Sequence, residues 1–361
     1  MEAKSVVYYM KDRKVGDPMA AEHSPLLEIS GIKKYFDVSK GIFKKKKQYL
    51  KAVDRVNLTL NKGETVGIVG ESGCGKSTLA NIVMGALPPD EGNIIFDNTD
   101  IYSLSKKELK EKRRGFQMVF QDPSSSLNPR MTVFDIIAEP LKSFNIVKGK
   151  QLIEEVEKLL SIVGLDISYK KRYPHEFSGG QRQRIVIARA LALKPKLIVC
   201  DEPVSALDVS IQAQILNLLR ELQDKYHLTY LFIGHGLPSV HYISDRIAVM
   251  YLGEIVETGK KDIIFQKPAH PYTRALLSSV PVPDPDYQTE KRENTEILGD
   301  LPNPIDPPSG CKFHTRCPIA QDICKQKPPV LSSIRDNQQT ACHFPITESL
   351  EEAKEYKAFI N

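Results

Sequence analysis

An α/β domain built on a largely parallel sheet is the fold class the sequence predicts, and three observations predict it. Short, continuous apolar runs at 65–69, 196–200 and 229–233 are bounded by polar or turn residues, the pattern of strands buried on both faces. Stretches with helical periodicity separate these runs, at 77–84, 185–193 and 211–222. Strands that alternate with helices return to the same sheet by crossovers, and such strands pair in parallel.

Taken in order, residues 1–24 are polar and lack apolar periodicity, as an adaptable tail would. The domain proper is expected over 25–265. Strand-like stretches at 27–29 and 53–60 flank a basic insertion containing Lys44, Lys45, Lys46 and Lys47. Two meanings stay open for that insertion: a solvated loop, or attraction to an anionic membrane surface at about 1 kcal/mol per lysine. The run 65–69 leads through a glycine-rich turn into the helix at 77–84. From 105 to 193 the pattern is mostly helical, as with Ile153, Val156, Leu159 and Leu160, and a helical subdomain is expected at about 122–190. Beyond 266 prolines gather and four cysteines appear, so residues 266–361 read as a small, loop-rich second unit.

Composition narrows the class. The 361 residues carry 50 Lys+Arg against 45 Asp+Glu, a formal charge of +5 that is too mild and too mixed to argue for nucleic acid as a partner. Hydrophobic residues make up 41% and charged residues 26%, the balance of an ordinary globular protein. The chain has no run of about 18 apolar residues to span a membrane and no apolar leader near its start. Six cysteines are too few for a disulfide scaffold of this length.

Chemistry concentrates in three segments. Gly70-Glu71-Ser72-Gly73-Cys74-Gly75-Lys76-Ser77 fits the phosphate-loop pattern G-x-x-x-x-G-K-[ST], directly after a strand and opening a helix. Glycines at this spacing let backbone N–H groups turn toward phosphate oxygens, and the helix adds its positive end. Lys76 is then placed to reach the β- and γ-phosphates and Ser77 to ligate Mg²⁺. The apolar run 197–200 ends in Asp201, suited to hold Mg²⁺, and Glu202, suited to polarise an attacking water. Ser178-Gly179-Gly180-Gln181 opens a second helix and offers a second anion-binding end. One nucleotide does not need two such ends from distant parts of one chain, whereas a head-to-tail dimer does.

These segments together resemble the ATPases of ABC transporters over about 26–260. Gly70–Thr78 looks like Walker A, and Gln121 in Val119-Phe120-Gln121-Asp122-Pro123 looks like the Q-loop. Ser178–Gln181 resembles the signature, Asp201 and Glu202 resemble Walker B with its catalytic glutamate, Asp208 the D-loop, and His235 the switch histidine. The resemblance implies an ABC-type P-loop ATPase fold with a mostly parallel core sheet, an antiparallel β subdomain, an inserted helical subdomain and a C-terminal cysteine-containing extension. It also implies roles. Ser72, Gly73, Cys74, Gly75, Lys76, Ser77 and Thr78 would hold ATP, Phe36 would stack on adenine with Tyr35 as the fallback, and Ser77, Gln121 and Asp201 would bind Mg²⁺. Glu202, His235 and Gln121 would carry the chemistry, with Ser178, Gly179, Gly180, Gln181 and Asp208 completing the partner's site. The chain departs from the family in Phe177, where Leu is usual. It departs again in Gly234 and Gly236, where Ser or Thr more often precedes the histidine and Asp follows it.

The tail narrows the resemblance. Pro268-Ala269-His270-Pro271-Tyr272-Thr273-Arg274-Ala275-Leu276-Leu277, then Pro302-Asn303-Pro304, looks like the C-terminal extension of bacterial dipeptide/oligopeptide and nickel importer ATPases. That subfamily implies a second, usually non-identical ATPase subunit, two transmembrane permease subunits, an extracytoplasmic binding protein, and a peripheral place on the cytoplasmic face of the cell membrane. The alternatives are a nickel or other small-solute importer, and a soluble non-transport ABC ATPase. Only about 100 residues separate Gly75 from Ser178, too few for the long coiled coil of DNA-acting members.

Cys74 and Cys200 read as small packing residues. Cys311, Cys317, Cys324 and Cys342 follow the pattern C-x5-C-x6-C-x17-C within proline-rich loops. Structural zinc usually brings pairs two to four residues apart, and these gaps are wider. Four thiolates suit a [4Fe–4S] cluster, which the subfamily resemblance supports; Zn²⁺ and free thiols are the alternatives.

Overall fold

The computed structural model describes residues 25–39, 47–279 and 299–347. The expected tail at 1–24 and Lys44, Lys45 and Lys46 of the basic insertion lie outside the described residues; Lys47 is described and exposed. The chain divides into two compact units at Glu254/Ile255.

The larger unit opens with β1 (Leu27–Asp37) and β2 (Tyr49–Leu60), an antiparallel pair in which Leu27 faces Leu60 and Phe36 faces Leu50. The fully buried β3 (Thr65–Val69) runs through the glycine turn into α1 (Lys76–Val83). β4 (Glu91–Phe96) and the short β5 (Thr99–Asp100) then return to β1, giving an antiparallel four-stranded sheet in the order β2-β1-β4-β5. α2 (Lys106–Lys112) is set by a Ser105/Glu108 capping box.

Next comes β6 (Phe116–Val119), inside a stretch whose pattern reads as mostly helical. It is a correction to the sequence reading with a plain cause. The strand has four residues, occupies the sheet edge, and buries only its first and last, too short for a period to show. Helices α3 (Pro123–Ser126), α4 (Val133–Ser143), α5 (Gly149–Ile162) and α6 (Gly179–Leu191) follow without an intervening strand. The alternation resumes with β7 (Leu197–Asp201), α7 (Val209–Tyr226), β8 (Thr229–Ile233), α8 (Leu237–Ile243) and β9 (Arg246–Tyr251).

Five strands in the order β9-β3-β8-β7-β6 pair in parallel throughout. Every residue of β3, β7 and β8 is buried, as strands covered on both faces require. Both the parallel core and the antiparallel subdomain agree with the expected fold class. The smaller unit holds β10 (Glu254–Lys260), α9 (Lys261–Gln266), α10 (Pro271–Ser278), α11 (Asp322–Gln326), β11 (Ser332–Arg335) and β12 (Gln338–Thr340). β12 pairs antiparallel with both β10 and β11.

Candidate functional site

The glycine turn after β3 is held by steric fit. At Gly75, φ is 109°, and an added Cβ would lie 2.0 Å from the Ala52 carbonyl oxygen on β2, so no larger residue is accommodated. Lys76, the first residue of α1, is 4% exposed. Its Nζ donates to the carbonyls of Gly70 at 2.8 Å and Glu71 at 3.0 Å, so the loop folds back around its own ammonium. Cys74 is buried with Sγ 3.7 Å from that ammonium, and burial raises its thiol pKa against the pull of Lys76. Ser72, Gly73 and Ser77 are exposed, and Thr78 is half-buried.

Parallel pairing brings the acidic end of β7 to this loop. Ser77 Oγ lies 3.1 Å from Asp201 Oδ1. Burial raises the Asp201 pKa, opposed by the Ser77 hydrogen bond and the positive charge of Lys76. Glu202 follows with φ of 49°, the left-handed region that a non-glycine residue enters only where its surroundings demand it. Two hydrogen bonds hold the turn: Glu202 N donates to Ile233 O at 2.9 Å, and Ser205 Oγ to Glu202 O at 3.1 Å. The buried carboxylate of Glu202 accepts from Gln121 Nε2 at 2.7 Å and pairs through its other oxygen with His235 Nε2. Gln121 just beyond β6, Glu202 beyond β7 and His235 beyond β8 thus converge on one carboxylate.

A second cluster is built on α6 and α7. Ser178 and Gln181 form a reciprocal capping box, with Gln181 N donating to Ser178 Oγ at 3.4 Å and Ser178 N to Gln181 Oε1 at 3.1 Å. Gly180 packs so closely on α7 that a Cβ would fall 2.5 Å from Ile211 Cγ2, and one at Gly179 would reach Leu207 at 3.1 Å. Asp208 caps α7 through Ile211 N at 2.9 Å and is exposed. Phe177, in place of Leu, is 4% exposed and keeps an apolar anchor before the helix.

Phe36 is half-buried on β1, with Lys34 Nζ 5.7 Å from its ring centre. Tyr35 is committed elsewhere: its hydroxyl donates to Asp54 Oδ1 at 2.8 Å, and burial pushes its pKa up.

In the smaller unit the four tail cysteines line a single pocket, and none is in a disulfide. Turns bring them together, with Cys311 N donating to Cys324 O at 2.8 Å and His314 N to Cys311 O at 3.0 Å. Burial raises the Cys317 thiol and pushes Cys342 up to about 12, with the neighbouring thiols adding to the rise at both. The sulfurs are not drawn into ligating distances: among the described residues no group of three or more His, Cys, Asp or Glu could hold a metal ion as placed. Four cysteines, none in a disulfide, are the donor type a four-thiolate group takes, though as placed they do not form one. The His314 and His343 rings meet the Cys311 and Lys327 carbonyls, each at 2.8 Å.

Glu257 and His270 escape the sequence reading. Glu257 sits in a strand pattern that gives no sign of its burial, yet it is 0% exposed. It accepts from Ala269 N at 2.8 Å, His270 N at 3.0 Å and Gln338 Nε2 at 2.7 Å. The only signal for His270 is its place beside Pro271 in the tail motif.

The family described as ABC transporter matches residues 53–205, and that described as oligopeptide/dipeptide transporter, C-terminal region, matches 256–324. The oligopeptide transport ATP-binding protein AppF of Bacillus subtilis is 53% identical over 90% of this chain and 99% of its own length. OppF of Salmonella typhimurium, with the same description, is 52% identical over 85% of this chain and 92% of its own. Among solved structures, the ADP- and Pi-bound dimer of the MJ0796 ATP-binding cassette superposes with a TM-score of 0.57 at 29% identity, covering 65% of this chain and 98% of that one. With the phosphate loop, the acidic strand end and the tail all accounted for, the chain belongs to the family of ATP-binding, ATP-hydrolysing subunits of oligopeptide/dipeptide ABC transporters.

Proposed function

We infer that this chain binds ATP with Mg²⁺ and hydrolyses it to power the import of peptides through a membrane transporter. The observation that carries the inference is the convergence of Gln121 and His235 on the Glu202 carboxylate, one residue from the Asp201–Ser77 pair. Glu202 is the general base that takes a proton from the attacking water. His235 and Gln121 orient it and sense the γ-phosphate. Ser77, Asp201 and Gln121 would hold Mg²⁺, which neutralises developing phosphate charge when bound. The 72–78 loop cradles the phosphates, and Phe36 is the adenine platform, since the Tyr35 hydroxyl is already bound to Asp54.

Ser178, Gly179, Gly180, Gln181 and Asp208 complete the nucleotide site of a second, non-identical ATPase subunit. The dimeric cassette among the structural neighbours supports the pairing of two cassettes. Two permease subunits and an extracytoplasmic binding protein are the remaining partners, with this chain peripheral at the cytoplasmic face of the membrane. Among the described residues no helix is long and apolar enough to cross a membrane, consistent with that place. The names of the relatives favour peptides as cargo over nickel.

In the assembled complex, Glu202→Gln is expected to keep ATP binding and slow hydrolysis by about 10²–10⁴-fold, the usual contribution of a general base. Lys76→Ala instead weakens nucleotide binding itself. Wild-type turnover by the Glu202→Gln complex would remove Glu202 from this role.

Cys311, Cys317, Cys324 and Cys342 would hold a [4Fe–4S] cluster, with Zn²⁺ as the alternative occupant. Such a group, once bound, ties distant loop positions to one centre and stabilises a small unit with few apolar contacts of its own.

A further inference from the structure

Strand β2 is irregular where it passes the phosphate loop. Lys34 of β1 pairs with Val53 and Tyr35 with Lys51, which leaves Ala52 as a bulged residue. Bulges bend a strand and re-aim it, and they gather beside sites. Here the Ala52 carbonyl comes to lie against Gly75, in the space a side chain would need. Two residues on, Asp54 N donates to Gly253 O at 2.8 Å, and Gly253 N donates to Cys74 O at 2.9 Å. One turn residue thus joins the bulged strand to the phosphate loop. Arg55 holds a φ of 55°, a left-handed conformation uncommon for a residue with a side chain, and is braced by Asp54 at 3.4 Å and Glu254 at 3.2 Å. The buried Asp54 carboxylate also accepts from the Tyr35 hydroxyl at 2.8 Å, while Tyr35 N donates to Asp90 Oδ2 at 2.6 Å. Tyr35 and Phe36 follow each other in regular register with Lys51 and Leu50, so their side chains leave β1 on opposite faces. A hydroxyl fixed on one face therefore sets where the Phe36 ring stands on the other.

We propose that Tyr35 and Asp54 are positioning residues for the nucleotide base: their hydrogen bond fixes the Phe36 platform relative to the phosphate loop, with the bulge at Ala52 and the turn at Gly253 as the span between them. The proposal rests on the reading of Phe36 as the adenine platform. Base and phosphates of one nucleotide are then held by separate segments, so affinity for the whole depends on the spacing of those segments as well as on each contact. A hydroxyl bound to a carboxylate makes a hydrogen bond roughly twice as strong as one between neutral groups, which suits it to hold that spacing. Tyr35 acts through Phe36, and Asp54 acts through Tyr35 and the turn; neither is assigned a contact with ATP.

The test compares ATP with inorganic tripolyphosphate, which keeps the phosphates and lacks the base, each titrated with Mg²⁺ into the full-length chain by calorimetry. Tyr35→Phe keeps the ring and removes the hydroxyl. It is expected to weaken ATP binding about threefold to tenfold, the worth of one hydrogen bond, and to leave tripolyphosphate within about twofold of wild type. Asp54→Asn keeps an oxygen acceptor and should bind ATP almost as wild type does, whereas Asp54→Ala should match Tyr35→Phe. The double variant Tyr35→Phe, Asp54→Ala should be no weaker than either single one, because both remove the same bond. Tyr35→Phe is nearly isosteric, so the comparison stands even where Asp54→Ala does not fold. Phe36→Ala is the control for the platform and should lose ATP affinity alone. Wild-type ATP affinity in Phe36→Ala overturns the platform and this proposal with it. Loss in Phe36→Ala with none in Tyr35→Phe overturns the positioning role and leaves the platform in place. Equal loss of ATP and tripolyphosphate in Tyr35→Phe also overturns it, because the hydroxyl then serves the fold of the whole site.

Discussion

Asp201 is the residue whose environment makes the sharpest demand on conditions. A carboxyl must lose its proton to hold a cation, and burial raises the pKa of this one above the ordinary range despite the Ser77 hydrogen bond. The sign follows directly. As pH falls, the proton competes with Mg²⁺ at Asp201 earlier than it would at an exposed carboxylate. Mg²⁺-dependent nucleotide affinity is therefore expected to decline on acidification at a higher pH than an unperturbed Asp would give. Asp201→Asn should abolish that pH dependence along with most of the Mg²⁺ effect; titration calorimetry across the acidic range would measure both. The residues behind this chemistry were legible because each motif is contiguous: Lys76 and Ser77 in one run, Asp201 and Glu202 in another. Glu257 and His270 were not, because burial of a polar side chain comes from partners distant in sequence, here Ala269 and Gln338 for Glu257.

At the scale of elements, the two glycines beside His235 behave oppositely. Gly236 is the N-cap of α8, in an extended conformation with no side chain to satisfy the helix N–H groups. A Cβ there would find its nearest neighbour, Ser239 Oγ, at 3.6 Å, an ordinary contact. Gly236→Asp is therefore expected to stabilise the fold by about 0.5 kcal/mol, from capping and the helix dipole together. Gly234 is buried, and a Cβ there would lie 2.7 Å from Val240 Cγ2 and 3.3 Å from Phe232. Gly234→Ser is expected to cost about 1–3 kcal/mol through overpacking. Denaturant unfolding of the two variants, read against wild type, separates the cases. The departure from the family at 236 is thus a cap forgone, and that at 234 is matched to its packing. Strands β3 and β8 were legible residue for residue because they are continuous apolar runs between clear breakers. β6 was hidden because four residues at a sheet edge carry no period of their own.

For the molecule as a whole, the chain divides into two units, and the loop-rich one has the smaller buried core. Its buried apolar residues include Ile264, Phe265, Tyr272, Leu277 and Phe313, a modest core beside the fully buried sheet of the larger unit. Composition alone marked where prolines and cysteines gather, but only the fold shows all four thiols on one pocket. Burial, with the neighbouring cysteines adding to it, pushes the Cys342 thiol up to about 12, so it keeps its proton unless a cation displaces it. A bound cationic centre, as proposed for this pocket, would displace those protons and hold the cysteines as thiolates. Anaerobically purified protein is accordingly expected to be brown, with broad visible absorbance and about four irons per chain for a [4Fe–4S] cluster. Cys317→Ser should bleach the colour and make the residues beyond 299 more open to limited proteolysis. It should leave ATP affinity at Lys76 within about twofold of wild type, a change of about 0.4 kcal/mol, because the cysteines and the phosphate loop lie in different units. Zinc in place of iron on metal analysis would make the staple a zinc site. Undiminished resistance to proteolysis in a colourless Cys317→Ser protein would mean that the smaller unit stands without any staple.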